Sequence, residues 1–387
     1  MEPRNGRQRD RLAALITLLA GVTLPLLGAA LTGVPWSRYL RFPPQAAAQP
    51  PSAFSWAAFT IVAAAEVLVV TPFLWQLLRD RRRNGREPTA GRWPWWGTAG
   101  AVLLGLSWAL AWQRTEALSA LRPHAFTPLW VGYIVVVNAL VQLRTGSAPL
   151  SAAPARFLWL FPASAGFWWL FEYLNQFVGN WYYLGQAAQD PWAHLVLATL
   201  PFSTVLPAVT STYCLLAGCP RLHAPLGRAW RLPGERRGWG LTAAAVGAAG
   251  LLSIGLAPDW TFPMLWLAPG LVLMGLQQWR GAPQPLAGLC AGDWRSAWLA
   301  ALAGLVCGFF WEFWNVGALA RWEYRVPLVQ GLTLFRMPVL GYGGYLPFGI
   351  ECLACVHALL GASWLRRWSP AGSSPASDVH KKSQQHV

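Results

Sequence analysis

Charge is scarce in this sequence: only 12% of its 387 residues are Asp, Glu, Lys or Arg, against 55% apolar. Soluble domains carry about 25% charged residues and disordered chains have little apolar content, so both classes are excluded. Lysine is almost missing. Lys381 and Lys382 are the only two, which leaves 28 of the 30 basic residues as Arg. The formal net charge is +15, yet the arginines stand between apolar runs and not on one basic face, which excludes a nucleic-acid surface. The six cysteines form no disulfide framework, since Cys214, Cys307, Cys352 and Cys355 lie in apolar runs and only Cys219 and Cys290 in loops. The sequence also lacks a P-loop, a Gly-rich dinucleotide fingerprint, a Gly-x-Ser-x-Gly elbow and a His-Glu-x-x-His pair. ATP-driven transport and the familiar hydrolase chemistries are thereby excluded.

What the sequence has in abundance is apolar length. Ten stretches approach the roughly 20 residues needed to cross a bilayer core of about 30 Å. They are 12–34, 54–78, 95–113, 126–143, 157–178, 193–217, 239–256, 260–279, 297–318 and 340–365. With both termini and the even-numbered gaps on one side, 23 basic residues fall there and seven opposite. Basic residues are retained on the cytoplasmic face, so both termini are expected inside, in a bacterial inner membrane, with an even number of spans. The first run follows Arg4, Arg7, Arg9 and Arg11, but its 23 residues exceed a signal-peptide core, so it reads as a retained span. The expectation is an all-α polytopic membrane protein of about ten transmembrane helices. Beyond Trp368 the Pro- and Ser-rich segment 369–387 lacks apolar content and reads as a disordered cytoplasmic tail.

Self-similarity refines this picture. Glu172-Tyr173-Leu174-Asn175 matches Glu312-Phe313-Trp314-Asn315 at an offset of 140, as Leu206-Pro207 matches Leu346-Pro347. Between them lie Trp181-Tyr182-Tyr183 and Trp322-Glu323-Tyr324. Upstream, Leu129-Trp130 matches Leu265-Trp266, Arg144 matches Arg280 and Pro149-Leu150 matches Pro285-Leu286, all at 136. Spans four to six therefore correspond to spans eight to ten. A shift of four spans is even, so the copies point the same way, as a parallel internal repeat. The expected organisation is an N-terminal two-span addition (1–94), a first repeat (95–237), a second repeat (238–368) and the tail.

Of the 15 acidic residues, only Glu66, Glu172, Glu312 and Glu351 lie well inside apolar runs, and no Lys or Arg lies deep in a run to neutralise them. A charge at the bilayer centre costs about 2.5–3.5 kcal/mol even on the insertion scale, so these side chains are expected to face the bundle interior or a wet cavity. A carboxyl desolvated without a cation favours its neutral form, and a neutral acid in an apolar cavity is a proton donor. Glu172 with Asn175, and Glu312 with Asn315, are i,i+3 pairs on one helical face, where an Asn amide could hold the carboxyl oxygen and Trp168, Trp169, Trp311 and Trp314 could exclude water. The alternative is that Glu-x-x-Asn is interhelical glue. Glu351 has Ser211 as its repeat counterpart, so that acid occurs in one copy only. Pro347, behind Gly341-Tyr342-Gly343-Gly344-Tyr345, is expected to break the start of the last span. Trp181, Tyr183, Trp322 and Tyr324 fit either a site lining or an interfacial aromatic belt. Glu66 reads as a packing group and His194 as a lone interfacial histidine. Cys352-x-x-Cys355 with His357 lies in an apolar helix without a second Cys pair, so no metal site is expected.

The order of an acid in an aromatic-rich helix, a Trp-x-Tyr pattern and a Pro at the next helix resembles the three-helix units of the heterodimeric-type lycopene cyclases. It occurs here as Glu172, Trp181-Tyr182-Tyr183 and Pro207, and again as Glu312, Trp322-Glu323-Tyr324 and Pro347. The family's Pro-x-Glu-Glu motif is replaced by Pro207-Ala208-Val209-Thr210-Ser211 and Pro347-Phe348-Gly349-Ile350-Glu351, so its acid role carries over onto Glu351 alone. The resemblance implies protonation of a carbon–carbon double bond in a lipophilic isoprenoid, a carotenoid or polyprenyl chain, without cofactor or metal. Glu351 would donate the proton and Glu172 or Glu312 would position or recover it. Asn175, Asn315, Trp181, Tyr183, Trp322 and Tyr324 would bind substrate, the aromatics by cation–π attraction to the carbocation. A proton-coupled transporter using the same carboxyls, or an assembly subunit in which they are packing glue, remain the alternatives. The expected partners are the bilayer and a lipophilic small molecule or lipid, and not nucleic acid.

Overall fold

In a bilayer, backbone N–H and C=O groups find partners only within a helix, and the apolar runs are helical accordingly. The computed structural model of the chain describes residues 4–44, 53–80, 91–185, 191–232, 237–282 and 284–370. Helices α1 (Arg4–Leu31), α2 (Trp56–Arg79), α3 (Trp95–Trp112) and α4 (Phe126–Thr145) come first, and the short turns α5 (Pro149–Ala152) and α6 (Pro154–Leu158) lead into α7 (Leu160–Val178). After strand β1 (Trp181–Leu184), one apolar run forms α8 (Pro191–Phe202) and α9 (Val205–Ala217). Next come α10 (Arg237–Leu256), the turn α11 (Pro258–Thr261), α12 (Met264–Trp279) and α13 (Arg295–Gly317). The chain then forms β2 (Arg321–Tyr324), the two-residue strands β3 (Thr333–Leu334) and β4 (Met337–Pro338), α14 (Tyr345–Leu360) and α15 (Ala362–Trp368). The tail expected to be disordered lies, from 371 onward, outside the described residues.

Among the described residues, seven helical segments are long and apolar enough to cross a membrane: Gln8–Leu31, Trp56–Arg79, Arg122–Thr145, Pro191–Ala217, Arg237–Leu256, Arg295–Gly317 and Val339–Leu360. This is an all-α membrane protein. The other three expected spans are also helical: α3, α7 and α12 have 18, 19 and 16 residues and fall outside this set by apolarity or, for α12, by length. At 1.5 Å per residue they reach about 24–29 Å, just under the bilayer core of about 30 Å. By length and apolarity seven of the ten expected spans qualify.

Packing separates the two N-terminal helices. α1 lies against α10, α12, α7 and α14, whereas α2 contributes no buried residue and meets the bundle mainly at the turns Ala224–Arg228 and Val339–Gly344. Only α2 is peripheral. The two most extensive helix contacts are α10 with α12 and α3 with α4. Both rest on small residues, because apolar helices in lipid associate through close backbone approach. Gly247 faces Ala268 and Val272 across the first pair, and Gly97 and Gly100 face Ala139 and Val135 across the second. At the centre, Trp130, Trp314, Tyr213, Phe171 and Phe348 are fully buried.

Each of α7 and α13 runs out into a strand, and β1 and β2 pair antiparallel. Trp181 stands opposite Tyr324 and Tyr183 opposite Trp322, with Tyr182 and Glu323 at the centre. A pairing that reads the same from either strand is what a two-fold axis through its midpoint produces.

Candidate functional site

Each half of the molecule places a carboxyl under its strand. On α7, Glu172 Oε1 accepts from Trp168 Nε1 at 2.9 Å, Trp181 Nε1 at 3.1 Å and the Tyr183 hydroxyl at 2.5 Å. On α13, Glu312 Oε1 accepts from the Tyr324 hydroxyl at 2.5 Å and the Tyr345 hydroxyl at 2.8 Å. Trp322 Nε1 donates to the Tyr324 hydroxyl at 2.7 Å. Both carboxyls are buried. Glu312 Oε2 has no hydrogen-bond partner.

The two asparagines do not hold these carboxyls, contrary to the expectation from their spacing. Asn175 Nδ2 donates to the Trp181 carbonyl at 2.8 Å, and its Oδ1 accepts from the Asn180 and Trp181 amides at 2.8 and 3.3 Å. Asn315 does the same around the Trp322 backbone, with Nδ2 to the carbonyl at 2.8 Å and the amide to Oδ1 at 2.9 Å. An i,i+3 spacing brings Asn and Glu to one face, but the chain turns sharply after each helix and leaves backbone groups needing partners there. The asparagines fix the strands, and the strands aim the aromatic side chains.

Those side chains line a cavity of ≈ 340 Å³, within the range of about 300–1,000 Å³ typical of small-molecule sites. Trp181, Tyr183, Trp322 and Tyr324 all face it, together with Trp168, Trp266, Trp311, Tyr345 and His194. Burial, and then the adjacent Glu172 carboxyl, push the Tyr183 phenol well above its ordinary range. Burial, followed by Glu312, does the same to Tyr324. Both phenols therefore stay protonated donors.

Glu351, expected to be the proton donor, does not line this cavity; Glu172 and Glu312 do not line it either, but each is hydrogen-bonded to a tyrosine that does. It is buried in α14 beside Gly270 of α12, where an added methyl would lie 3.4–3.6 Å from its side-chain carbons, and its Oε2 lacks a partner. Glu66 lines a smaller neighbouring cavity instead. Among the described residues, no three His, Cys, Asp or Glu side chains gather as metal ligands.

No family model, curated protein or solved structure matches this chain. Its site must be read from its own geometry. Of the tryptophans expected to exclude water, Trp168 and Trp311 line the cavity and Trp169 and Trp314 do not. Tyr345 and Trp266 were not legible as site residues in the sequence, where Trp266 served only to align the repeat. The signal for Tyr345 lay in that same alignment. At the offset of 140, Gly308 replaces Trp168 and Tyr345 replaces Val205. In the structure the Tyr345 ring occupies the space that a side chain at position 308 would fill.

Proposed function

We propose that this chain is a membrane enzyme built as a tandem of two parallel units that hold a lipophilic isoprenoid in the cavity between them. The units are α3, α4, α7 and α8/α9, and α10, α12, α13 and α14. The observation that carries this reading is the convergence on a single aromatic cavity of two tyrosines, one from each half, each donating to a buried carboxyl behind it. The reciprocal β1–β2 register, the matched Asn staples and the paired α3/α4 and α10/α12 contacts support the tandem. The arginine asymmetry supports both termini in the cytoplasm, with a bacterial inner membrane as the setting.

The chemistry follows from how the two carboxyls differ. Glu172 Oε1 accepts three donors, the hydrogen-bond inventory of an ionised carboxylate. Glu312 Oε1 accepts two, one donor fewer to favour the ionised form, and Glu312 is assigned as the proton carrier. Its proton reaches the substrate through Tyr324 once the phenol turns its O–H from Glu312 to the alkene: that O–H bond breaks as a C–H bond forms on one alkene carbon, and the Glu312 proton passes along the reversed hydrogen bond to the phenol oxygen. The cation left on the substrate lies among Trp168, Trp266 and Trp311, whose faces attract positive charge. Loss of a proton from a neighbouring carbon, through Tyr183 to Glu172, restores an alkene. Return of that proton from Glu172 to Glu312 closes the cycle, and the net result is isomerisation, or cyclisation when a second double bond attacks the cation, with no oxidant or reductant. Two carboxyls whose surroundings separate their protonation states form an acid–base pair. The acid role assigned to Glu351 from the cyclase resemblance thus passes to Glu312.

Expression in a carotenoid-producing host, with mass spectrometry of the nonpolar lipids, tests the reading. A cyclised or isomerised product that disappears in Glu312→Gln supports it. An unchanged lipid profile with wild-type protein refutes it and leaves proton-coupled transport, assayed as proton flux, as the use of these carboxyls.

A further inference from the structure

A second cavity, ≈ 200 Å³, adjoins the first. Trp181, Trp266, Tyr324, Met337 and Tyr345 line both, so the two share a wall. At ≈ 200 Å³ it lies below the roughly 300 Å³ expected of an independent ligand site. It reads as an extension of the main cavity, reached past this aromatic wall.

Its polar content is small and one-sided. Glu66, from the peripheral helix α2, is the only acidic or basic residue in its lining. Gly343 makes room for it, since a methyl there would collide with the Glu66 carboxyl. Among the described residues the Glu66 carboxyl has no hydrogen-bond partner within the protein. Asn180 also lines this chamber; its side chain is buried, and its Oδ1 is without a partner. The buried Asn180 Oδ1 is costly to leave open in an apolar chamber unless something donates to it, and Glu66, half-buried on α2, is a second acceptor facing the same space. An all-carbon ligand has nothing to offer them.

We infer that one elongated ligand fills both cavities, with its apolar chain among the tryptophans and a terminal hydroxyl donating to Glu66 beside Asn180. This rests on the reading of the main cavity as an isoprenoid site and deepens it, because it selects a hydroxyl-ended isoprenoid over a pure hydrocarbon. Glu66 is then the group that fixes how far the chain enters.

Equilibrium binding of tritiated geranylgeraniol, and of the oxygen-free polyene of the same carbon skeleton, to purified full-length protein tests this. A hydrogen bond to a charged group corresponds to about ten- to a hundredfold in affinity, and the alcohol should bind more tightly than the hydrocarbon by that factor. Glu66→Leu should abolish the difference by weakening the alcohol alone. Retained hydrocarbon binding reports that the variant is folded, and Glu66→Gln, which keeps an acceptor, should fall between. Equal affinities for alcohol and hydrocarbon in the wild type, or an alcohol unaffected by Glu66→Leu, would overturn the inference while leaving the main cavity's assignment intact. Failure of both ligands to bind the wild type would overturn that assignment as well.

Discussion

The two halves of this molecule reach the same end by different side chains. In the first, Glu172 takes a donor from its own helix, Trp168, one turn earlier. In the second, the matching position is Gly308, and Glu312 takes its donor from the following helix, Tyr345 of α14. The exchange is reciprocal, because Val205 stands where Tyr345 does and lines the cavity without a polar group. A similar exchange surrounds the buried acid of α14. Glu351 packs beside Gly270, whereas its counterpart Ser211 accepts from Asn138 and faces a helix that carries Ile134 in place of the glycine. Two scaffolds that start alike can thus hold carboxyls in different hydrogen-bonding states. That difference is what an acid–base pair requires.

The strongest way to break the comparison is to neutralise each carboxyl in turn. Glu312→Gln should lower turnover by about 10²–10⁴-fold, the range for loss of a general acid, measured as product formed in the carotenoid-producing host. Glu172→Gln should leave more activity, because a base can be partly replaced by solvent. Equal losses would erase the distinction between the halves. Tyr345→Phe removes one of the two donors on Glu312, whereas Tyr183→Phe leaves Glu172 with two tryptophan donors. At about 1.5–3 kcal/mol for a hydrogen bond to a charged group against about 0.5–1.5 kcal/mol to a neutral one, thermal denaturation should show the larger cost in Tyr183→Phe, since Glu172 is the ionised carboxyl.

Gly308→Ala sharpens the steric half of the argument. The new methyl meets the Tyr345 ring, and overpacking of this kind costs about 1–3 kcal/mol. A lowered melting temperature together with reduced turnover is expected, and an unchanged protein would show that Tyr345 does not need the space. Asn175→Ala and Asn315→Ala should instead behave alike, each losing about 1–3 kcal/mol from unsatisfied strand backbone. A large gap between them in thermal stability would break the equivalence of the two strand staples. The smallest effect is expected at Glu351. Glu351→Gln should leave turnover within about twofold and stability within about 0.5 kcal/mol or slightly raised, since an unpartnered buried carboxyl is removed. Loss of turnover in that variant, with the fold intact, would return the acid role to α14.

Some of this was legible in the order of residues and some was not. The apolar runs mark the helices because lipid leaves the backbone no other way to satisfy its polar groups. The spacing of Glu172 and Asn175 places both on one face, but spacing cannot show that the amide turns to the Trp181 backbone and not to the carboxyl. Glu351 looked most catalytic because its copy lacks an acid, yet uniqueness in sequence says nothing of which cavity a side chain enters. The runs at 95–113, 157–178 and 260–279 do form helices, α3, α7 and α12, nearly over the expected bounds, yet these are the three that fall outside the set long and apolar enough to cross a membrane.

The sequence by itself determined a membrane protein, its helical class, the position of its intramembrane acids and the likeness between its halves, since hydropathy and self-similarity are properties of the linear chain. Only the tertiary structure decided that Trp168 and Tyr345, which do not correspond in the alignment, serve corresponding carboxyls. It also decided that Glu66 faces a chamber beside the aromatic cavity and that Glu351 does not reach that cavity. The physical reason is that donors and walls are supplied by residues far apart in the chain. Which of them meet depends on how closely the helices approach, and that is set by packing at positions such as Gly308 and Gly343.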